Sequence, residues 1–151
     1  MKNENKPGQD FIGVGCGVFI VNEKGETLLS VRSKSSKNEI GTWNKIGGAV
    51  EYGETVVEGL KREVMEEIGV KLKDIVFLSY TDHILVNENQ HWLGLNYMAK
   101  IKEGFPKNLE PDKNDEIKWF KFIDIPKNLA VPTRESLPLM IKKYDEIGWG
   151  Q

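Results

Sequence analysis

Cysteine is nearly absent from this sequence. Cys16 is the only one in 151 residues, so no intrachain disulfide can form and no cysteine-based metal site is expected. The two histidines, His83 and His91, lack the spacing of a metal-binding pair. Neither sign of charge dominates, with 21 basic against 23 acidic residues and a net charge of -2. The basic footprint that a nucleic-acid polymer requires is therefore missing. No apolar run approaches membrane-spanning length, and the opening "MKNENKPGQD" has no apolar stretch resembling a signal peptide. A cytoplasmic protein without a membrane partner is the expectation. Repeats are absent too, and the length suits one domain with a substantial core. Residues 1–10 read as a disordered tail and 11–151 as the single domain.

What is present begins with residues 11–21, "FIGVGCGVFIV", apolar and with glycine at alternate positions. They read as a buried strand, turning at "NEKGE" into a returning strand "TLLSVRSK". Gly13, Gly15 and Gly17 do not open a helix, so they fit close packing of a neighbour better than a dinucleotide loop. Residues 74–85 and 91–101 read as two strands around the loop "VNENQ", 116–124 as another, and 134–147 as a helix with Leu137, Met140, Ile141 and Tyr144 inward. Strands and helices interleave without regular βαβ alternation, which favours an α/β sandwich around a mixed β-sheet over a Rossmann fold.

The chemistry concentrates in residues 47–70, "GGAVEYGETVVEGLKREVMEEIGV", which hold six glutamates and two basic residues. From Thr55 the spacing is helical, with Val57, Leu60, Val64 and Ile68 on one stripe. Thr55 and Glu58 can form a capping box, and Gly69 suits the end. On a helical wheel Glu67 lies about 40° to one side of Glu63 and Glu66 about 60° to the other. Gly59 falls in the same sector and leaves room for a ligand. A hard divalent cation relieves repulsion among clustered carboxylates, and magnesium, which keeps waters and substrate phosphates, fits best. Yet Glu58–Arg62 and Arg62–Glu66 are ordinary i,i+4 surface pairs, so helix spacing alone favours a solvated face.

The longer spacing reverses that judgement. Gly48, Glu54, Arg62-Glu63-Val64, Glu66-Glu67 and Gly69-Val70 fill every fixed position of G-x5-E-x7-R-E-U-x-E-E-x-G-U, where U is a bulky aliphatic residue. This is the Nudix box, and the chain resembles a Nudix (MutT-like) hydrolase. The resemblance implies an α/β/α sandwich and metal-dependent cleavage of a nucleoside diphosphate linked to another group. Glu63, Glu66 and Glu67 would bind metal or activate water, with the Gly47 carbonyl as a further ligand. Arg62 and Glu54 would orient the helix through an internal ion pair. Which glutamate is the base stays open. Magnesium is the expected cofactor, with manganese as the alternative, and a homodimer is what many relatives suggest.

The family usually has Leu-Pro before the glycine pair, where this chain has Lys45-Ile46. Lys45 reads as either a substrate contact or a solvated loop residue. "PKNLEPDK" at 106–113, Trp119, the following "IP" and "HW" at 91–92 resemble the subgroup that hydrolyses nucleoside triphosphates, ordinary or oxidised, to monophosphate and pyrophosphate. An ADP-ribose pyrophosphatase typically has a proline shortly past the box, and none occurs between Gly69 and Pro106. The coenzyme A motif is also absent. Hydrolysis of ADP-ribose or another nucleoside diphosphate derivative is the enzymatic alternative. A catalytically silent nucleotide sensor is the non-enzymatic one.

From the loop "EPDKNDE", Glu116 is the first choice for an extra metal ligand or base and Glu110 the second, Glu110 also being a candidate substrate contact. Arg32, His83 and His91 complete the candidate substrate-binding set. Trp92, Tyr97 and Phe120 could stack on a base, although aromatics on strands usually belong to the core.

Overall fold

The computed structural model describes residues 4–36 and 38–151. In chain order the elements are β1 (Gly13–Val21), β2 (Glu26–Arg32), β3 (Trp43–Asn44), β4 (Ile46–Ala49), α1 (Val56–Ile68), β5 (Lys71–Leu85), β6 (Gln90–Glu103), β7 (Asn114–Lys121) and α2 (Val131–Glu146). The strands form one mixed sheet in the order β3-β2-β1-β6-β5, with β4 added to β1 and β7 to β2. The β1–β6 pair is parallel and the other pairs are antiparallel.

Strand alternation sorts the side chains of β1 into two cores. Cys16, Val18 and Ile20 pack with Leu60, Val64 and Ile68 of α1 on one face. Phe19 and Val21 pack with Met140 and Tyr144 of α2 on the other. The sheet is therefore sandwiched between the two helices. Leu137 and Ile141 join the second core as half-buried residues. The α1 stripe runs Val56, Leu60, Val64, Ile68 at four-residue steps, so Val56 takes the place expected for Val57.

Helix α1 starts and stops where its sequence dictates. The Thr55 hydroxyl accepts from Glu58 N at 3.1 Å and the Glu58 carboxylate accepts from Thr55 N at 2.8 Å. Gly69 closes the helix in the left-handed region at φ 73°, a conformation that glycine adopts without a Cβ penalty. Helix α2 begins earlier than its expected residue 134, because Pro132 sits in the first turn, where a missing N–H costs nothing. Strand β7 ends earlier than expected: residues Phe122–Asp124 form a 3-10 turn, with Phe122 N bonded to Gly25 O.

Part of the expected tail is folded. Gly8 N donates to Phe11 O at 2.7 Å, His91 N donates to Gly8 O at 2.8 Å, and the Gly8 backbone lies against the Trp92 ring. An apolar surface and a sheet-edge hydrogen bond order residues 6–11. Residues 1–3 lie outside the described residues. No helix among the described residues is long and apolar enough to cross a membrane.

One topological detail positions the site. Strand β1 pairs with β2 only at Ile20 and Val21, while β4 takes over along Gly15–Val18. The sheet therefore splays beside the glycine pair, and a cleft opens there.

Candidate active site

The cleft holds about 420 Å³, within the range that takes a nucleotide-sized ligand. One end is acidic. Carboxylate oxygens of Glu63, Glu67 and Glu110 lie within 4.8 Å of one another. Glu67 is buried, and both of its oxygens are fixed: Gly47 N donates to Oε2 at 3.2 Å and Asn114 Nδ2 to Oε1 at 2.9 Å. Burial nevertheless pushes the Glu67 carboxyl up to about 7, because these two donors recover only part of the lost hydration. Burial also pushes Glu63 up, with the Arg62 guanidinium opposing. Hard oxygen donors converging in this arrangement fit a divalent cation.

Gly48 makes the approach of Glu63 possible, since a Cβ there would stand 2.4 Å from the Glu63 carboxyl carbon. Gly59 works differently from the expectation. The space left by its missing side chain is filled by Glu54, whose Oε1 would lie 2.7 Å from an added Cβ. No ligand is needed to explain that glycine.

Arg62 ties the loop to the helix. Its Nη2 and Nε reach Glu54 Oε1 and Oε2 at 2.7 and 3.1 Å, and Nη2 also donates to Ala49 O at 3.0 Å. Nη1 lies 3.0 Å from Glu63 Oε1 and 3.3 Å from Glu66 Oε2. The guanidinium hydrogen bonds hold the Glu54 carboxyl down at about 2. Because a lysine keeps the charge but cannot reproduce this fork, Arg62→Lys is expected to lower kcat/KM by roughly a hundredfold through misorientation. The check is steady-state kinetics beside a circular dichroism spectrum that stays unchanged.

Glu66 does not line the cleft: its side chain is 53% exposed and lies outside the trio. Glu116 is exposed on β7 opposite Val31. Its neighbour Ile117 packs on the α1 side, so alternation turns Glu116 away from the carboxylates. Glu110, ranked behind it in the sequence reading, is the residue that the loop delivers. Lys113 Nζ pairs with Glu110 Oε2 at 2.9 Å and lines the same end.

The other end of the cleft lies over the α2 face of the sheet. Gly15, Gly17 and Gly94 form a flat floor, and Trp92, Asn96, Arg32, Lys45 and His83 stand around it. His83 Nε2 is 2.7 Å from Glu39 Oε1, and Val131 N donates to Glu39 Oε2 at 2.8 Å. Burial pushes the Glu39 carboxyl up, but these partners more than offset it and the net shift is downward. Arg32 Nε donates to Asn38 O at 2.8 Å. His91 lies outside this cleft and lines a separate groove with Gly8 and Ile84, since Trp92, its neighbour on β6, takes the cleft-facing position. Of the other aromatics, Phe120 packs edge-on against Trp43 and Tyr97 against Phe77.

Sequence reasoning missed Glu39, Asn114 and Asn96. The polar loop "KNEIG" gives no spacing signal for Glu39, and Asn114 meets Glu67 only through a contact 47 residues away in sequence.

The chain belongs to the Nudix family: the NUDIX domain model matches residues 12–140. It is 35% identical to a MutT NUDIX hydrolase from Burkholderia pseudomallei, whose crystal structure superposes with a TM-score of 0.78 over 84% of this chain and 96% of that one. It is 28% identical to the 8-oxo-dGDP phosphatase NUDT18 of Mus musculus, over 75% of this chain and 33% of that protein. It is 26% identical to the oxidized purine nucleoside triphosphate hydrolase of Danio rerio, over 87% of this chain and 82% of the relative. The chain thus spans about a third of the length of curated relatives such as the mouse protein.

Proposed function

We propose that this protein hydrolyses nucleoside triphosphates, oxidised or otherwise non-standard ones included, to nucleoside monophosphate and pyrophosphate, with magnesium. The observation that carries the reading is one continuous cleft with a carboxylate trio at one end and a glycine-floored polar pocket at the other. A nucleotide in it would lay its phosphates on Glu63, Glu67 and Glu110 and turn its base towards Trp92 and Asn96, which line the same cleft. The relatives that act on oxidised purine nucleotides support the same substrate class.

Glu63, Glu67 and Glu110 would hold the cation, which when bound neutralises phosphate charge and acidifies a water. The chain's own groups do the positioning. Gly47 N–H and Asn114 fix the rotamer of Glu67, and Arg62 pins the loop of Glu54 against α1. Lys113 and Arg32 bring positive charge to the cleft walls for the anionic phosphate chain. Tight placement of this kind supplies most of the catalysis in phosphoryl transfer.

Product analysis with magnesium over nucleoside triphosphates, oxidised triphosphates and ADP-ribose tests the proposal. Monophosphate plus pyrophosphate from a triphosphate is expected, with turnover lost on chelation. Cleavage of ADP-ribose alone would move the substrate to the diphosphate derivatives. Nucleotide binding without cleavage would make the protein a sensor.

A further inference from the structure

Lys45, one of the two residues that replace the usual Leu-Pro before the glycine pair, is among the most deeply buried charged groups of the described residues, at 4% exposure. It stands between β3 and β4, and its neighbour Ile46 points into the α1-side core. Alternation therefore turns Lys45 to the α2 side. Its backbone N donates to Thr133 Oγ1 at 3.0 Å, which anchors it to α2. The side chain lies flat over Gly17, where an added Cβ would come within 2.8 Å of Cε and 3.1 Å of Cγ. The glycine stripe thus makes a trough for this lysine.

The ammonium at the end of that trough makes no hydrogen bond or ion pair with another described residue, and its one aromatic neighbour is the Phe19 ring, 5.5 Å from Nζ. Burial pushes the Lys45 ammonium down to about 7, and the charge of Glu39 opposes this, but both Glu39 oxygens are already engaged, by His83 and by Val131 N–H. The stem is buried, but the unpaired Nζ is not among the enclosed unsatisfied atoms, so it opens on the cleft, where a ligand oxygen can take the place of water on its donors. Its place decides which part of the ligand that is. Lys45 shares the cleft with Glu39, His83 and Asn96, and its side chain lies over Gly17, whose register partner on β6 is Asn96, whereas the carboxylate trio that would meet the phosphates gathers beside Gly48.

We infer that Lys45 is a specificity-determining residue whose ammonium donates to an exocyclic oxygen of the nucleobase, so that the cleft selects oxo-bases over adenine. This rests on the nucleotide reading above. An ammonium has three donors and no acceptor. A carbonyl oxygen at the base edge satisfies it, and the adenine amino group sets donor against donor.

Inosine and adenosine nucleotides differ at that edge and keep the same ribose and phosphates. Wild-type protein is expected to bind inosine monophosphate roughly ten- to hundredfold more tightly than adenosine monophosphate by calorimetry, without metal. The triphosphates should differ likewise in kcat/KM, chiefly through KM. Lys45→Met should fold with an equal or higher Tm, and its affinity ratio should collapse towards one. Should Lys45→Met fail to fold, Lys45→Gln, which keeps a neutral donor, should retain part of the preference. Equal affinities in the wild type, or a loss in the variant that is the same for both bases, would overturn the assignment. Because binding is read without turnover, an inactive protein that still prefers inosine would sink only the hydrolase reading. Turnover without base preference would sink only this one.

Discussion

Glu67→Gln is expected to cut metal-dependent turnover by about three orders of magnitude or more while the fold survives. Both Glu67 oxygens accept hydrogen bonds, from Gly47 N and Asn114 Nδ2. The glutamine amide would face one of those donors with a donor of its own and lose that bond. What it removes in return is a carboxylate whose charge is unfavourable without a cation. The pH dependence follows with a definite sign. The folded carboxyl is raised to about 7 from 4.5, so between these values the folded state holds a proton that the unfolded chain has released. Metal-free stability therefore falls as pH rises through that window, by on the order of 2–3 kcal/mol. Thermal melts of chelated wild-type protein from pH 4.5 to 7.5 should show that decline, magnesium should reverse it at the upper end, and Glu67→Gln should flatten it. A flat wild-type profile would mean that Glu67 is not strained by its burial.

The α1 helix was legible from sequence because its determinants are local. The Thr55–Glu58 capping box, the four-residue apolar step and Gly69 all act within a turn or two of themselves. The Nudix spacing was legible for a related reason, since Gly48 to Glu63 and Glu54 to Arg62 are contacts that β4 and the short loop after it make with the helix that follows. The choice between Glu110 and Glu116 was not, because it depends on where β7 begins and which face each residue then takes. With the strand running Asn114–Lys121, alternation sends Glu116 outward and leaves Glu110 in the loop, facing α1. Gly59 was legible as a place that needs no side chain, but not as the seat of Glu54. The pocket end was the least accessible, since Glu39, His83 and Val131 meet from a loop, a strand and a helix start. No periodicity connects them.

The two glycines of the pair should fail in different ways when each is changed to alanine. At Gly48 the added Cβ meets the Glu63 carboxylate, 2.4 Å from Cδ and Oε2. That group ends a flexible side chain, so the protein can fold by swinging Glu63 out of the trio. Gly48→Ala is expected to give a folded protein with a near-normal Tm, weakened magnesium binding and kcat/KM lowered by about a thousandfold. At Gly47 the added Cβ would lie 2.0 Å from Cys16 O and 2.6 Å from Gly17 Cα. Both atoms are backbone of β1, held in register by β4 on one side and β6 on the other, and a packed interior does not yield by an ångström. Gly47→Ala should therefore separate β4 from β1 and leave little soluble, cooperatively melting protein. Expression yield and thermal melts distinguish the two, and magnesium titration by calorimetry reads the Gly48 variant without recourse to activity. A Gly48→Ala protein with normal turnover would show that Glu63 works from outside the trio. A stable Gly47→Ala protein would show that the β1–β4 contact gives way, and with it the close approach that puts Gly47 N–H on Glu67.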